Sequence, residues 1–326
     1  MDYYKEIKEK IKNNEIYEKV KDYSKERHKV LTYFEIGRLL HEAGKHYGES
    51  VIKKYAISLE KEFGKKYDER TLRRMRQLFL IFGEPKRVSP KDDPSKTLNN
   101  TSNFNQKRVS PYRNTFYPSF ISKLTWTHYR YILSIGNDNE RNYYINIAIS
   151  NHLSVRELRN RIKSKEYYRL DEKTRNKLIY QEETSVIDFV KNPIIINNRS
   201  NYSNISEKIL QTLILEDLPS FLKELGNGFC FIDNEFKIKL GERNNYIDLL
   251  LFNIDFNCYV VVELKVTELK KEHIGQIELY MNYIDKNIKK RAHGNTIGII
   301  ICKKDNGFVI EYCSDKRIIS REYVLA

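Results

Sequence analysis

The sequence predicts an all-α domain followed by an α/β domain whose mixed sheet is flanked by helices. Apolar residues recur at helical spacing in the first quarter of the chain, whereas strand-like apolar runs occur only after residue 228. The length of 326 residues corresponds to about two domains. Residues 1–200 hold 41 Lys and Arg against 26 Asp and Glu, a net charge of +15, while residues 201–326 hold 17 against 18, a net charge of −1.

Three helices are expected in the first part of the chain. Apolar residues at helical spacing over 34–40 predict a helix that stops near Gly44. Ser50 can cap a second helix that stops near Gly64, and Asp68 can cap a third. These helices are short and end in an Arg-rich one, so the domain is expected to be helix-turn-helix-like.

A break separates these helices from a second helical group. Residues 83–120 are rich in Pro, Ser, Asn and Lys and contain KRVSP twice, so a flexible insertion is expected there. Helical spacing then resumes, and Ser154 and Glu157 form a capping-box pattern. The helical domain is therefore expected to span 1–165, and the polar segment 166–205 is expected to be a linker.

The α/β domain is expected to span 206–326. It opens with a helix that Pro219 must kink or split. The third predicted strand is apolar on both faces until its end, which is typical of a central buried strand. The strands are expected at 229–239, 246–252, 258–266, 296–302 and 308–313, with a helix at 268–290.

Composition excludes several classes of protein. Hydrophobic residues make up 40% and charged residues 31%, as in soluble globular domains. The sequence has no run of about 18 apolar residues, and its first residues lack the apolar stretch of a secretory signal, so a cytoplasmic location is expected. The four cysteines form no C-x-x-C pair, so buried free thiols are expected rather than a zinc site or disulfides.

The basic first part suggests a domain that binds a polyanion, and a compositional bias toward Lys is the alternative. Arginine can contact phosphates or guanine edges, and a solvated helix face is the alternative for the Arg-rich helix. A second basic cluster favours phosphate contact without sequence reading. The candidate nucleic-acid-binding residues are Arg70, Arg73, Arg74 and Arg76 in the first cluster and Arg156, Arg159 and Arg161 in the second.

Three charged residues interrupt the apolar strands of the α/β domain. Glu263 and Lys265 end the central strand and share one face of it, because side chains alternate along a strand. Asp248 lies fifteen residues before Glu263 in an otherwise apolar run. If the two strands are antiparallel neighbours, Asp248 lies beside Glu263.

A divalent cation would relieve the cost of burying two carboxylates close together. Oxygen ligands in an incomplete protein cage suit Mg²⁺, which can polarise a phosphodiester and lower the pKa of a bound water, and Mn²⁺ is the alternative ion. Lys265 would orient the attacking water or stabilise charge in the transition state. The alternative is a buried Asp–Lys–Glu ion-pair network without chemistry.

The predicted helix after the central strand adds two candidates. Gln276 and Tyr280 are four residues apart and project from the same side of the helix. They could contact a phosphate or the nucleophile. Ordinary packing of the helix on the sheet is the alternative.

These residues resemble a known family, the YhcG-type bacterial proteins with a PD-(D/E)XK nuclease domain and a helical N-terminal domain. The resemblance covers nearly the whole chain except 83–120. In the α/β domain it rests on FLKELGNGFCFI (221–232), NYIDLLLF (245–252), YVVVELKV (259–266), GQIELYMNYID (275–285) and NTIGIIICK (295–303). In the helical domain it rests on IGRLLHEAGKHYG (36–48), FGKKYDERTLRRMRQLF (63–79), LTWTHYRYIL (124–133) and SVRELRNRI (154–162).

The resemblance implies a restriction-endonuclease-like core over 206–326 that acts on phosphodiester bonds with Mg²⁺. It carries Asp248 over as the motif aspartate and Glu263 and Lys265 as the E-x-K pair. Relatives tend to place a carboxylate on the first helix near position 211, where this chain has Gln211. Glu207, one turn earlier, could serve as the third metal ligand instead.

The expected function is therefore that of a Mg²⁺-dependent DNA endonuclease with a helical DNA-binding domain. A restriction or defence role is implied by the resemblance only. One alternative is a DNA-binding regulatory protein with an inactive nuclease core, and another is a nuclease acting on RNA or branched DNA. Paired cuts in duplex DNA would favour a homodimer, but the sequence identifies no self-complementary surface.

Overall fold

A computed structural model describes most of the chain. The chain divides into two compact units, Met1–Ser164 and Lys165–Ala326. The insertion predicted over 83–120 lies outside the described residues, apart from Gly83. Among the helices described, none combines the length and the apolar character needed to cross a bilayer. The residues described are 2–19, 25–83, 123–180, 182–313 and 315–326.

The first unit is built from helices, as the sequence predicts. The cap predicted at Ser50 is wrong, because Glu49 holds the N-cap position of α3 and no side chain caps that helix. Asp68 caps α4, because its side chain accepts a hydrogen bond from Thr71 N at 2.8 Å. Ser154 and Glu157 form the predicted capping box at the start of α7. The described helices of this unit are α1 (Tyr3–Lys19), α2 (Lys25–Tyr47), α3 (Ser50–Phe63), α4 (Glu69–Phe82), α5 (Trp126–Ile132), α6 (Asp138–Ser150) and α7 (Val155–Lys163).

Helices α2 and α4 approach each other closely at Gly37. A Cβ atom on Gly37 would lie 2.0 Å from the backbone oxygen of Met75 and 3.1 Å from Cβ of Phe79. Only a residue without a side chain allows this approach, so Gly37 sets the distance between the two helices. Gly44 lies in the same helix but differs, because the nearest atoms to its added Cβ would be 3.8 Å away.

Replacement of Gly37 by alanine is expected to lower the free energy of unfolding by about 1–3 kcal/mol, since α4 must shift to admit the methyl group. Gly44→Ala is the matched control and is expected to stabilise the helix by up to about 1 kcal/mol. Urea unfolding followed by circular dichroism measures both changes. Equal stability of Gly37→Ala and the wild type would contradict the close approach.

The second unit contains a six-stranded mixed sheet in the order β1-β6-β5-β4-β3-β2. β4 is central, pairing parallel with β5 and antiparallel with β3. Pro219 lies in the first turn of α10, so the predicted split of the first helix is confirmed. The elements are α8 (Glu172–Tyr180), β1 (Ile194–Ile196), α9 (Glu207–Glu216), α10 (Leu218–Leu225), β2 (Phe229–Leu240), β3 (Arg243–Asn253), β4 (Cys258–Glu268), α11 (Lys271–Asn287), β5 (Ile297–Lys304), α12 (Gly307–Glu311) and β6 (Ile318–Leu325).

Helices cover both faces of the sheet. On one face, α9 and α10 pack on alternate residues of β3 to β5, among them Val262 and Leu264. On the other face, α11 packs Ile277 and Met281 against Val261 and its neighbours. Side chains alternate along a strand, so the residues flanking Leu264 belong to the α11 face. This places Glu263 and Lys265 together.

Two parts of the second unit differ from the sequence prediction. The last strand is not 308–313, because most of that segment belongs to the short helix α12. The last strand is β6, which pairs parallel with β5. Phe308 is 76% exposed, so this apolar run has too little to pack against for a buried strand. The segment expected as a linker, 166–205, contains α8 and β1, and β1 pairs parallel with β6.

The four cysteines are free. Cys258 and Cys302 are buried as expected and Cys313 is half-buried, but Cys230 is exposed, contrary to the expectation of buried thiols. Burial raises the pKa of Cys258 to about 11, so this thiol stays protonated at neutral pH.

Candidate active site

Asp248 and Glu263 meet across neighbouring antiparallel strands. Leu249 of β3 pairs with Val262 of β4, so the same register places Asp248 opposite Glu263. The backbone N–H of Leu264 donates a hydrogen bond to Asp248 Oδ2 at 2.7 Å. Burial raises the pKa of Asp248, although the Leu264 hydrogen bond and Lys265 oppose this rise. The strand fixes this carboxylate in place while burial disfavours its charge.

Glu263 is buried among apolar side chains, with 1% of its surface exposed. Burial, and then the neighbouring Asp248 carboxylate, raise the pKa of Glu263 to about 8. Its Oε1 atom is buried and has no hydrogen-bond partner. A buried oxygen without a partner is costly, so this atom is available to a ligand.

Lys265 lies on the same face of β4 as Glu263. Its Nζ atom is 3.4 Å from Glu263 Oε2 and 3.8 Å from Glu207 Oε2. Its side chain is only 10% exposed. The Lys265 ammonium group therefore partly compensates the negative charges of Glu263 and Glu207. It is held beside them, where it can also face a phosphate or a water.

Gln211 and Glu207 both come from α9, which packs on the other face of the sheet. Gln211 is buried, and its Nε2 donates to the backbone oxygen of Asp248 at 3.0 Å. Its Oε1 accepts from Lys208 Nζ at 3.3 Å. Gln211 therefore fixes the strand that carries Asp248. Glu207 is half-exposed and reaches the site through Lys265.

Helix α11 places Tyr280 and Gln276 beside the charged residues. Gln276 Nε2 donates to the Tyr280 hydroxyl at 3.1 Å, and Tyr280 is 5% exposed. Burial raises the pKa of Tyr280, and the charges of Glu263 and Asp248 raise it further. The Tyr280 hydroxyl thus stays protonated and lies within electrostatic reach of both carboxylates.

His273 is a further candidate site residue, which the sequence patterns did not indicate. It lies on α11, three residues before Gln276 and seven before Tyr280, so all three share one helix face. Burial and then the Lys265 ammonium lower the pKa of His273, and Glu207 opposes them. Its Nδ1 accepts a hydrogen bond from Lys270 N at 3.1 Å, which leaves Nε2 as the N–H donor. The helical spacing from Gln276 could have identified it.

The chain's own residues fit a hard cation in part. The partnerless Oε1 of Glu263 and the neighbouring carboxylate of Asp248 are oxygen donors of the kind that Mg²⁺ prefers. No group of three or more His, Cys, Asp or Glu side chains is gathered for a metal within the described part of the chain, so Glu207 does not complete a three-carboxylate set. Mg²⁺ usually keeps several waters and needs about one or two carboxylates.

The predicted nucleic-acid-binding arginines lie in the helical unit. Arg76 forms a two-pronged ion pair with Glu49, in which Nη2 is 2.7 Å from Oε1, and Arg73 pairs with Glu69 at 2.7 Å. Arg70 is exposed and Arg74 is half-buried on the same helix, α4. On α7 the predicted pair Arg156 and Arg159 is exposed, whereas Arg161 is half-buried.

Comparison with known proteins gives two family matches and one curated relative. The YhcG PDDEXK nuclease domain matches residues 187–325, and the DUF1016 N-terminal domain matches residues 6–169. The Escherichia coli (strain K12) protein named "Putative nuclease YhcG" is 24% identical over 293 residues, which cover 83% of this chain and 76% of that protein.

Two solved structures resemble part of the chain. One is the crystal structure of a repair endonuclease from Pyrococcus abyssi, at 19% identity and a TM-score of 0.27, covering 39% of this chain and 49% of that one. The other is titled "Structure of EndoMS-dsDNA2 complex", at 18% identity and a TM-score of 0.26, covering 39% of this chain and 48% of that one. The match spans about half the length of each solved structure.

Proposed function

The chain belongs to the family of YhcG-type proteins that join a DUF1016 N-terminal domain to a PDDEXK nuclease domain, and from this premise we propose that it is a Mg²⁺-dependent endonuclease that hydrolyses phosphodiester bonds of DNA. The observation that carries the proposal is the convergence of Asp248, Glu263 and Lys265 on one face of the sheet. The partnerless buried oxygen of Glu263 supports an active centre over a purely structural ion-pair network.

Each residue has a proposed role. Asp248 and Glu263 would hold the ion, which would supply polarisation of the scissile phosphodiester and a lowered pKa of a bound water. Asp248 is kept in position from two sides, by the Leu264 N–H on its carboxylate and by Gln211 on its backbone oxygen. Lys265 orients the attacking water or stabilises the negative charge that develops on the phosphate.

The residues of α11 are proposed to bind the substrate backbone. Gln276 and Tyr280 form one hydrogen-bonded pair, and both side chains can donate to a phosphate oxygen. His273 adds an N–H donor on the same helix face. Together they orient the phosphodiester against Asp248 and Glu263.

Cleavage of a substrate panel by wild type and Glu263→Gln tests the proposal. The panel contains supercoiled plasmid, linear duplex, single-stranded DNA, branched DNA and RNA, each with Mg²⁺, Mn²⁺ or EDTA. Wild type is expected to cut DNA with a divalent ion, and Glu263→Gln is expected to leave it intact. Glu268→Gln is the matched control, because Glu268 lies on the same strand but pairs at the surface with Lys304 at 3.0 Å.

The outcomes separate the alternatives. Cleavage of RNA or branched DNA alone would change the substrate and keep the mechanism. Absence of cleavage of every substrate, together with no thermal stabilisation by Mg²⁺ or Mn²⁺, would favour a DNA-binding regulatory protein. Unchanged cleavage by Glu263→Gln would remove the proposed centre.

The helical unit is proposed to bind the DNA, so binding is expected to weaken steeply with salt. Each phosphate neutralised by Lys or Arg releases counterions, so with several contacts the affinity falls by orders of magnitude between about 50 and 200 mM salt. Fluorescence anisotropy with a labelled duplex in EDTA measures this without cleavage. A flat salt profile would contradict the assignment of binding to the basic unit.

A further inference from the structure

The four arginines of α4 divide into two pairs with different surroundings. Arg73 and Arg76 are neutralised by Glu69 and Glu49. The Arg76–Glu49 ion pair connects α4 to the residue before α3, so it holds helices together. Both guanidinium groups already have acidic partners, and a phosphate would have to compete with those partners.

Arg70 and Arg74 form the other pair. They are four residues apart and lie on one face of α4, which continues to Gln77 one turn later. Among the residues that the structure describes, neither makes an ion pair. The acidic group whose charge acts on Arg74 is Asp68, and the Asp68 side chain caps α4 through Thr71 N.

A third arginine joins this face from a different helix. Gln77 Nε2 donates to the backbone oxygen of Leu133 at 2.8 Å, which brings the Arg70–Arg74 face of α4 onto the end of α5. Arg130 lies one turn before Leu133, is exposed, and makes no ion pair in the described ranges. After burial, the charges of Arg70 and Arg130 are the causes that lower the pKa of Arg74. Arg70 and Arg130 therefore both lie within electrostatic range of Arg74.

Three cations held close together repel each other unless an anion lies between or over them. We propose that Arg70, Arg74 and Arg130 form one phosphate-binding surface for the backbone of duplex DNA, while Arg73 and Arg76 are occupied by their ion pairs with Glu69 and Glu49. The choice of DNA as the polyanion rests on the proposed function. Arginine suits this role because its planar group donates two parallel hydrogen bonds to a phosphate.

This surface is expected to contact the phosphates of the DNA backbone rather than the bases. Arg74 is half-buried, so its guanidinium stays close to the protein surface and reaches a backbone more readily than a groove floor. Phosphate contacts fix position and carry no sequence information. Substitution should then weaken binding equally for duplexes of unrelated sequence.

The test compares one double and two single variants of the full chain in EDTA, with binding to a labelled duplex measured at several salt concentrations. Arg130→Gln is expected to weaken binding and to lower the slope of log affinity against log salt by about 1. The double variant Arg70→Gln/Arg130→Gln is expected to lower the slope by about 2. Arg73→Gln, on the same helix but paired with Glu69, is the matched control and is expected to leave the slope unchanged.

Arg70 and Arg130 are exposed and without ion pairs in the described residues, so their loss should leave folding intact, and a thermal melt checks this. Wild-type affinity and slope in Arg130→Gln would overturn the proposal, as would absence of duplex binding by the wild type. The proposed function fails differently. A wild type that binds DNA but never cuts it would refute the endonuclease and leave this surface standing.

Discussion

Replacement of Lys265 by alanine is expected to reduce phosphodiester cleavage by roughly 10²–10³-fold, the usual effect of removing one group that stabilises transition-state charge. Lys265 is the ammonium group beside Glu263, at 3.4 Å, and it is nearly buried. In the proposed mechanism its loss removes the cation that would face the phosphate, and it leaves Glu263 less favoured as an anion. Cleavage rates of a plasmid in Mg²⁺ measure the effect.

Lys304→Ala is the matched control for this prediction. Lys304 ends the neighbouring strand β5 and pairs with Glu268 at the surface, where 68% of its side chain is exposed. Exposed ion pairs contribute about 0–1 kcal/mol, so cleavage by this variant should equal that of the wild type. Equal loss in both variants would indicate a general effect of charge and would contradict the specific role of Lys265.

Replacement of Glu224 by alanine is expected to lower the free energy of unfolding of the second unit by about 3 kcal/mol, because it leaves the buried guanidinium of Arg169 without its carboxylate partner. Glu224 Oε1 accepts from Arg169 Nη2 at 3.2 Å, and Arg169 is only 9% exposed. Glu224 Oε2 also accepts from Ile195 N at 3.2 Å. The carboxylate thus joins α10 to the segment before it, and urea unfolding reports the loss.

The stabilisation by Glu224 is expected to depend on pH. Burial alone would raise the pKa of Glu224, but the Arg169 hydrogen bond and the charge of Lys191 lower it below its ordinary value of 4.5. A carboxylate whose pKa is lower in the folded state than in the unfolded state stabilises the fold at pH values above its unfolded-state pKa. This stabilisation is lost as the pH falls through the folded-state pKa. The difference between wild type and Glu224→Ala should therefore be full at neutral pH and shrink below pH 4.5.

Glu216→Ala provides the control on the adjacent helix. Glu216 is exposed and accepts one hydrogen bond, from Ser200 at 3.2 Å. Surface substitutions of this kind usually change stability by less than about 0.5 kcal/mol. If Glu224→Ala is no more destabilising than Glu216→Ala, the Arg169 contact contributes nothing to folding.

Local signals in the sequence predicted much of the fold. The caps at Asp68 and Ser154 and the split at Pro219 depend on the backbone within a few residues, and each is present in the structure. The central strand β4 was predictable because both of its faces are apolar. These features need no knowledge of distant parts of the chain.

The final strand was not predictable in the same way. β6 buries Ser320 and Arg321, which in sequence resemble surface residues. Arg321 is accommodated because it donates to the backbone oxygen of Val190 at 2.9 Å and to Asp171 at 2.8 Å, both far away in the chain. Polar partners that come from a distant segment leave no periodic pattern in the strand itself.

The contacts of the candidate site and of the helical unit likewise divide into those that local sequence patterns predict and those that depend on distant segments. The pairing of Asp248 with Glu263 could be predicted because strand alternation and one turn between neighbouring strands determine it. The link from Gln211 to the Asp248 backbone and the approach of Arg130 to Arg74 depend on how separate helices pack. Those contacts cannot be predicted from local sequence patterns.

The pairing of β1 with β6 has a practical consequence for anyone who produces this protein. The amide of Ala326 donates to Ile196 O at 3.0 Å, and Asn198 N donates to Ala326 O at 2.9 Å, so Ala326 extends the pairing of β6 with β1. A recombinant fragment intended to retain the whole sheet should begin near residue 165. A fragment that begins at 206 would lack β1, so the edge of β6 would be exposed to neighbouring molecules and would favour aggregation.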